Sequence, residues 1–232
     1  MLMTPRTCFE SLIFGDLVQG FTEAHLVEGP EHIPVLRKFD SELLPKHLVA
    51  FNDRGRGQDP DDTGIHFYKR DQTFSSVVLN PLGWVDRIFD YKCALTPDLS
   101  LSPNMPRWQR VRNTVYSRAA GSVWQSRGIA VLPSLRWADC HDYDFVMSGL
   151  EYGTCFAVSS YGMLNDPEKT RDFNNGLKHF QREIKPQEIL VYGRIGFRLL
   201  DELQSETRVR ILPSGFRHLQ SDRTVAMQTQ LF

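Results

Sequence analysis

Apolar residues in this chain gather into short runs, and most runs are separated by longer stretches where apolar positions recur every three or four residues. The runs fall at residues 33–36, 47–51, 64–68, 93–95, 129–132, 155–158, 188–191 and 209–212. They read as short strands, and runs this continuous suit strands that are covered on both faces. Between them, residues 106–127 place Trp108, Val111, Val115, Ala119, Ser122 and Val123 on one predicted buried helix face. Residues 166–186 form the clearest helix. Asn165 or Asp166 caps it, Pro167 suits its first turn, and Phe173, Leu177, Phe180 and Ile184 make an apolar stripe. Asn80-Pro81 marks the start of a helix carrying Trp84, Val85, Ile88 and Phe89. Shorter helical patterns lie at 9–18, 143–150 and 197–203.

Strand, helix, strand is the grammar of a βαβ unit, and its clearest copy runs from Ala94 to Trp137. Repeated along the chain, it predicts an α/β fold of mainly parallel strands alternating with helices. Eight runs predict a compact TIM-barrel-like form, with an open doubly wound sheet as the alternative. Residues 1–215 read as one domain and residues 216–232 as a polar tail ending in QTQLF.

Composition narrows the function classes. The chain has 232 residues, a net charge of −1 and 24% charged residues, so it has no global excess of charge to attract nucleic acid. No apolar run approaches the roughly 20 residues of a spanning helix, and the N-terminal stretch lacks a secretory pattern. No membrane association is expected. Cys8, Cys93, Cys140 and Cys155 are scattered without a C-x-x-C pair, which suits free thiols in a cytoplasmic protein. Cys140 beside His141 lacks the second cluster that a metal site needs, and neither a cofactor fingerprint nor a catalytic triad motif appears. The loop at 52–64, with Gly55, Gly57, Asp59, Asp61 and Asp62, lacks calcium-loop and phosphate-loop spacing and reads as a solvated turn.

Charge is uneven locally. No Asp or Glu occurs between Asp98 and Asp139, whereas Arg107, Arg110, Arg112, Arg118, Arg127 and Arg136 all do. Arg107, Arg110 and Arg118 share a broad sector of the long helix. Two readings stand: a phosphate-binding face that contacts DNA or substrate, or a helix surface paired with acids from neighbouring helices. In both candidate architectures ligands bind beyond the carboxyl ends of the strands. That rule nominates Asp53, Lys69, Asp71, Asp98, Ser134, Arg136, Ser159, Tyr161, Tyr192 and Arg194. Asp98 and Arg136 form the best pair, because adjacent parallel strands bring them together. Asp98 is then a general base or substrate anchor and Arg136 an anion clamp, or the two are a buried ion pair.

The series LTPDLSL, WQSRGIAVLPSLRW, FAVSSYG and ILVYGRI resembles a bacterial and phage family, domain of unknown function 4417. The resemblance covers about residues 64–193 and marks Pro97, Asp98, Ser100, Trp124, Gln125, Gly128, Pro133, Trp137, Ser159, Gly162, Tyr192 and Gly193. Leu99 stands where the family often has Phe. The resemblance implies a bacterial or mobile-element setting and lends no activity. Separately, Gln228-Thr229-Gln230-Leu231-Phe232 resembles the peptide by which bacterial polymerases and repair proteins dock on the sliding clamp. Gln228 supplies a hydrogen bond, Leu231 and Phe232 fill an apolar pocket, and the preceding polar stretch reads as a tether. Two functions follow. One is a clamp-docked factor of DNA metabolism or replication; the other is a small-molecule or nucleotide-processing enzyme centred on Asp98 and Arg136.

Overall fold

The computed structural model describes residues 18–22, 24–55 and 59–214. The helix predicted over 9–18 lies outside them except for Val18, and so do Cys8 and the whole tail with Gln228, Leu231 and Phe232.

Among the described residues there are nine strands. β1 (Val27–Glu28) and β2 (Ile33–Pro34) form an antiparallel hairpin. β3 (His47–Ala50), β4 (Thr63–His66), β5 (Cys93–Leu95) and β6 (Val131–Leu132) make a four-stranded parallel sheet in chain order. β7 (Phe156–Ser159), β8 (Glu188–Tyr192) and β9 (Arg208–Leu212) make a three-stranded parallel sheet. A single parallel bridge, Ser134 to Ala157, joins the two sheets. Cys93, Leu95 and Leu132 from one sheet and Cys155, Ala157 and Leu190 from the other share one apolar cluster.

The fold is α/β with parallel strands alternating with helices, as the periodicity predicts. The ladder does not close into a barrel among the described residues, in agreement with the open alternative. The first of the eight runs supplies part of the reason. Pro34 has no N–H to donate to a central ladder; the 33–36 segment goes instead to the hairpin and to an isolated bridge between Leu36 and Leu150.

Among the described residues six α-helices cover the sheets: α1 (Asp71–Leu79), α2 (Val85–Ile88), α3 (Arg107–Ser126), α4 (Tyr143–Met147), α5 (Pro167–Ile184) and α6 (Phe197–Gln204). Asn80-Pro81 marks a helix start as the sequence predicts, with a 3₁₀ turn at Leu82–Trp84 leading into α2, and it also ends α1. A proline disfavours α geometry in the residue before it, and Asn80 leaves it at φ −131°, ψ 63°. In α5 the Asp166 carboxylate accepts the N–H groups of Glu168 and Lys169, Pro167 begins the first turn, and the predicted stripe is buried. Capping of this kind satisfies donors that the first turn leaves over.

α3 is the central helix, packed against β2, β6, α1 and α4. Nearly all of its residues from Asn113 to Gln125 are buried. Gly121 permits the close approach: a Cβ there would lie 2.8 Å from Thr96 Cγ2. Trp108, predicted on the buried face, is 62% exposed, and the Arg112 guanidinium lies 5.5 Å from its ring centroid. The first turn of α3 thus turns its aromatic group outward.

Cys93, Cys140 and Cys155 are free thiols. Among the described residues, no group of three or more His, Cys, Asp or Glu could hold a metal ion. No described helix is long and apolar enough to cross a membrane.

Candidate functional site

Parallel pairing brings the carboxyl ends of neighbouring strands to one end of each sheet. Beyond β5 the chain continues Thr96-Pro97-Asp98, and beyond β6 it continues Pro133-Ser134-Leu135-Arg136. Ser134 N donates to Thr96 Oγ1 at 2.9 Å, which ties the two strand ends together. The loop carrying Asp98 is held from two sides. Ser100 donates its N–H and its hydroxyl to the Asp71 carboxylate at 3.1 and 3.0 Å, and Asn113 Nδ2 donates to Ser100 O at 2.9 Å.

The segment carrying Arg136 is anchored by its neighbour. Trp137 Nε1 donates to Asp172 O at 3.0 Å, and its ring meets Phe173 and Phe180. Gly176 leaves room for that ring, since a Cβ there would lie 2.3 Å from Trp137.

Asp98 and Arg136 come together as adjacent strands predict, but loosely. Arg136 Nη1 lies 3.7 Å from Asp98 Oδ2, with side chains 26% and 10% exposed. Asp98 Oδ1 and Arg136 Nε are buried without a hydrogen-bond partner among the described residues. Burial pushes the Asp98 carboxyl up to about 6, against the opposing pull of Arg136. These two residues, with Ser134, Leu101, Ser117 and Arg118, line a narrow cavity of about 10 Å³.

An uncharged aromatic wall stands beside the pair. Ser134 Oγ donates to Tyr68 Oη at 3.1 Å. Tyr68 stacks on Tyr192 with centroids 5.0 Å apart, and the His66 ring lies 4.6 Å from Tyr192. His66 Nδ1 accepts the Tyr68 N–H at 3.1 Å, which places the imidazole proton on Nε2. Burial drives His66 down to about 3 and holds the Tyr68 phenol well above its ordinary range. Both groups are therefore neutral around pH 7.

His66 and Tyr68 were missed in the sequence, yet a signal existed. In a strand, residues two apart share a face. Phe67 between them points the other way and stacks on Trp124 at 5.6 Å.

The remaining nominated residues separate. Arg107 binds Glu31 at 2.7 Å, Asp144 at 2.8 Å and His141 O at 2.7 Å. Arg110 binds Asp142 at 2.6 Å and Asp139 at 3.3 Å, although its Nε has no partner among the described residues. Arg118 is 1% exposed and donates to Val146 O at 3.0 Å. Two arginines already neutralised by carboxylates and a third buried do not make a common phosphate-binding face. Pairing with acids from other elements, the other reading of this helix, describes Arg107 and Arg110. Ser159 is buried on β7, accepts the Tyr161 N–H at 3.2 Å and does not line the cavity.

Several residues of the recognised motifs have plainly mechanical roles. Trp124 Nε1 donates to Pro81 O at 2.9 Å. Gln125 exchanges two hydrogen bonds with the Arg37 backbone, at 2.9 and 3.0 Å. Gly193, at φ 118°, lets the chain pass Ser160, whose Oγ accepts the Arg194 N–H at 2.8 Å. Asp98 differs from these in having a polar atom left over.

A wider cleft lies between α4, α5 and α6, lined in part by Tyr143, His179, Lys178 and Glu202. Lys178 and Glu202 pair across it, and the His179 ring lies on Tyr143 at 4.6 Å. None of its charged lining groups is deeply buried, so it lacks the electrostatic tension of the Asp98 cavity.

The model of a family described as "Domain of unknown function (DUF4417)" matches residues 26–209, which include the whole Asp98 cavity. The "Gene 1 protein" of Mycobacterium phage L5 is 35% identical to this chain over 165 residues, covering 70% of this chain and 71% of that protein. The "Gene 1 protein" of Mycobacterium phage D29 is 35% identical over 167 residues, covering 71% of this chain and 61% of that protein. No solved structure matches the chain.

Proposed function

This chain belongs to the DUF4417 family and is related to bacteriophage proteins, and on that footing we propose that its folded domain processes a small polar molecule or nucleotide at Asp98 and Arg136. The reading is carried by the carboxylate of Asp98, which is buried, held in place by a braced loop and left with Oδ1 unpartnered among the described residues. A buried ion pair kept for structure needs close geometry and further hydrogen bonds to offset desolvation. Here the separation is 3.7 Å, and although Ser134 supports the carboxylate, Asp98 Oδ1 stays without a partner among the described residues.

The chemistry suits proton transfer. A carboxyl that titrates near 6 accepts and returns a proton close to neutrality. Arg136 neutralises a ligand carboxylate or phosphate, or the negative charge that develops when a proton leaves. The stacked rings of His66, Tyr68 and Tyr192 stand beside Ser134 as an aromatic flank to the pair. Thermal shift and calorimetry against a panel of nucleotides and phosphorylated metabolites test this. A ligand class that stabilises the natural protein should fail to bind Asp98→Asn while that variant stays folded. Equal binding to both proteins, or no hit in the panel, sinks the reading.

A second reading concerns location, and its support lies in the sequence. Gln228, Leu231 and Phe232 match the hydrogen-bonding and apolar positions of a sliding-clamp peptide, and a phage-related protein gains access to the host replication machinery by such docking. This reading does not extend to DNA contact by α3, since Arg107 and Arg110 already hold carboxylates. Surface plasmon resonance on purified bacterial clamp should show binding by the full chain and its loss when Leu231 and Phe232 are deleted. Unchanged affinity after the deletion rejects docking through these residues.

A further inference from the structure

Two large aromatic side chains stand open at the carboxyl end of the three-stranded sheet: Tyr161 is 69% exposed and Phe197 82%. β7 and β8 pair as far as Ser159 and Tyr192, so Tyr161 and Arg194 each lie two residues beyond neighbouring strand ends. The two loops are tied together, since Arg194 donates its N–H to Ser160 Oγ at 2.8 Å. Phe197 and Arg198 follow at the start of α6, whose first turn holds no acidic residue. The four-stranded sheet reaches the same place. Tyr68 stacks on Tyr192 with centroids 5.0 Å apart, and Arg70 lies two residues beyond Tyr68 as Arg194 does beyond Tyr192.

Charge at this end is divided unevenly. Arg70, Arg194 and Arg198 are exposed, and none has an ion pair or a side-chain hydrogen bond among the described residues. The carboxylates of the same strand ends are already engaged: Asp53 with Lys69 at 3.7 Å, Asp71 with the Ser100 hydroxyl at 3.0 Å, Asp98 with Arg136, and Asp166 with the first N–H groups of α5. Single aromatic residues scattered over a surface are ordinary. Two on adjoining loops, interleaved in sequence with free guanidinium groups, have the composition of a stacking platform for unpaired bases.

We infer that this end of the domain binds single-stranded nucleic acid, with Tyr161 and Phe197 stacking on bases and Arg70, Arg194 and Arg198 holding phosphates. A duplex keeps its bases stacked inside and leaves the two rings without a partner. An acidic peptide uses the arginines and leaves the rings idle in the same way. The net charge of −1 supplies no general attraction, so binding depends on these local groups. The inference goes beyond the chemistry at Asp98 and the docking role of the C-terminal residues, and requires neither.

Fluorescence anisotropy on the full chain at low salt tests the surface. The probes are labelled oligo-dT and oligo-U of about 20 nucleotides, longer than one such site, and a DNA duplex of the same length. At least one single strand should bind, and the duplex about ten-fold more weakly or worse, because it offers phosphates without open bases. Phe197→Ala and Tyr161→Ala should each weaken binding by about 5- to 150-fold. Both rings are exposed, so the variants should keep the circular dichroism spectrum of the natural protein. Three phosphate contacts should give a slope of about −2 in the logarithm of the binding constant against that of salt, and Arg194→Ala should reduce it by about 0.7. Failure of both single strands to bind, equal binding of the duplex, or unchanged affinity in the two aromatic variants overturns the inference. Loss of clamp binding or of an Asp98-dependent ligand leaves these outcomes as they are, so each reading fails separately.

Discussion

Asp142 is buried and Asp98 nearly so, each is a carboxylate beside an arginine, and the fold treats them in opposite ways. Asp142 is 0% exposed; its Oδ1 takes Arg110 at 2.6 Å and its Oδ2 takes the Ala138 N–H at 2.8 Å. Asp98 has one oxygen 3.7 Å from Arg136 and the other without a partner among the described residues. Trp137 sits in sequence between the two partners, so one anchored segment presents Arg136 to the cavity and the Ala138 N–H to Asp142. The difference separates a group kept for architecture from a group kept available. Native interiors satisfy nearly all buried polar atoms, so a leftover one beside a cavity marks chemistry or a ligand.

The largest effect is expected where satisfaction is complete. Asp142→Ala removes the shorter of the two carboxylate contacts of the buried Arg110 guanidinium, leaving Asp139 at 3.3 Å, and should lower stability by about 3 kcal/mol in urea unfolding. A loss below about 1 kcal/mol would erase the distinction between the two carboxylates.

Asp98→Asn should act in the opposite direction. Burial raises the folded-state pKa of Asp98 to about 6, from about 4 in the unfolded chain. Between those values the folded protein keeps a proton that the unfolded chain has released, so stability falls as pH rises through that window. The variant escapes this fall. It should be more stable than the natural protein by about 2–3 kcal/mol at pH 8, with the gap closing below pH 4. Destabilisation by Asp98→Asn at pH 8 would instead make the Arg136 contact a structural pair.

The smallest effect belongs at the surface. Arg107 meets Glu31 and Asp144 at short distances, but its side chain is well exposed. Arg107→Ala should cost about 0–1 kcal/mol, less at high salt. A larger, salt-insensitive loss would place Arg107 with Arg110 rather than outside the buried network.

Much of the frame was legible before any coordinates. The apolar runs at 93–95 and 129–132 pair as β5 and β6, which is why Asp98 and Arg136 were recognised as neighbours. The α5 stripe and the Asp166 cap follow from local spacing alone. Arg118 was not legible as an interior residue. An arginine on an amphipathic helix normally faces water, and only the packing of β2, α1 and α4 around α3 encloses it. Trp108 misled for the converse reason, since its spacing matches the buried face but the first turn of α3 faces outward. His66 and Tyr68 were hidden inside an apolar run, where their shared face becomes visible only when Tyr192 arrives from the other sheet.

What the amino-acid sequence determined by itself is whatever depends on near neighbours in the chain: strand and helix periods, the Asp166 cap, the break at Asn80-Pro81 and the parallel pairing of successive runs. Only the tertiary structure decided whether the ladder closed, which arginines met carboxylates, and that Asp98 and Arg118 were left incompletely satisfied around one cavity. The reason is physical. Hydrophobic period and capping act over a few residues, whereas desolvation and ion pairing depend on what distant segments bring within about 4 Å.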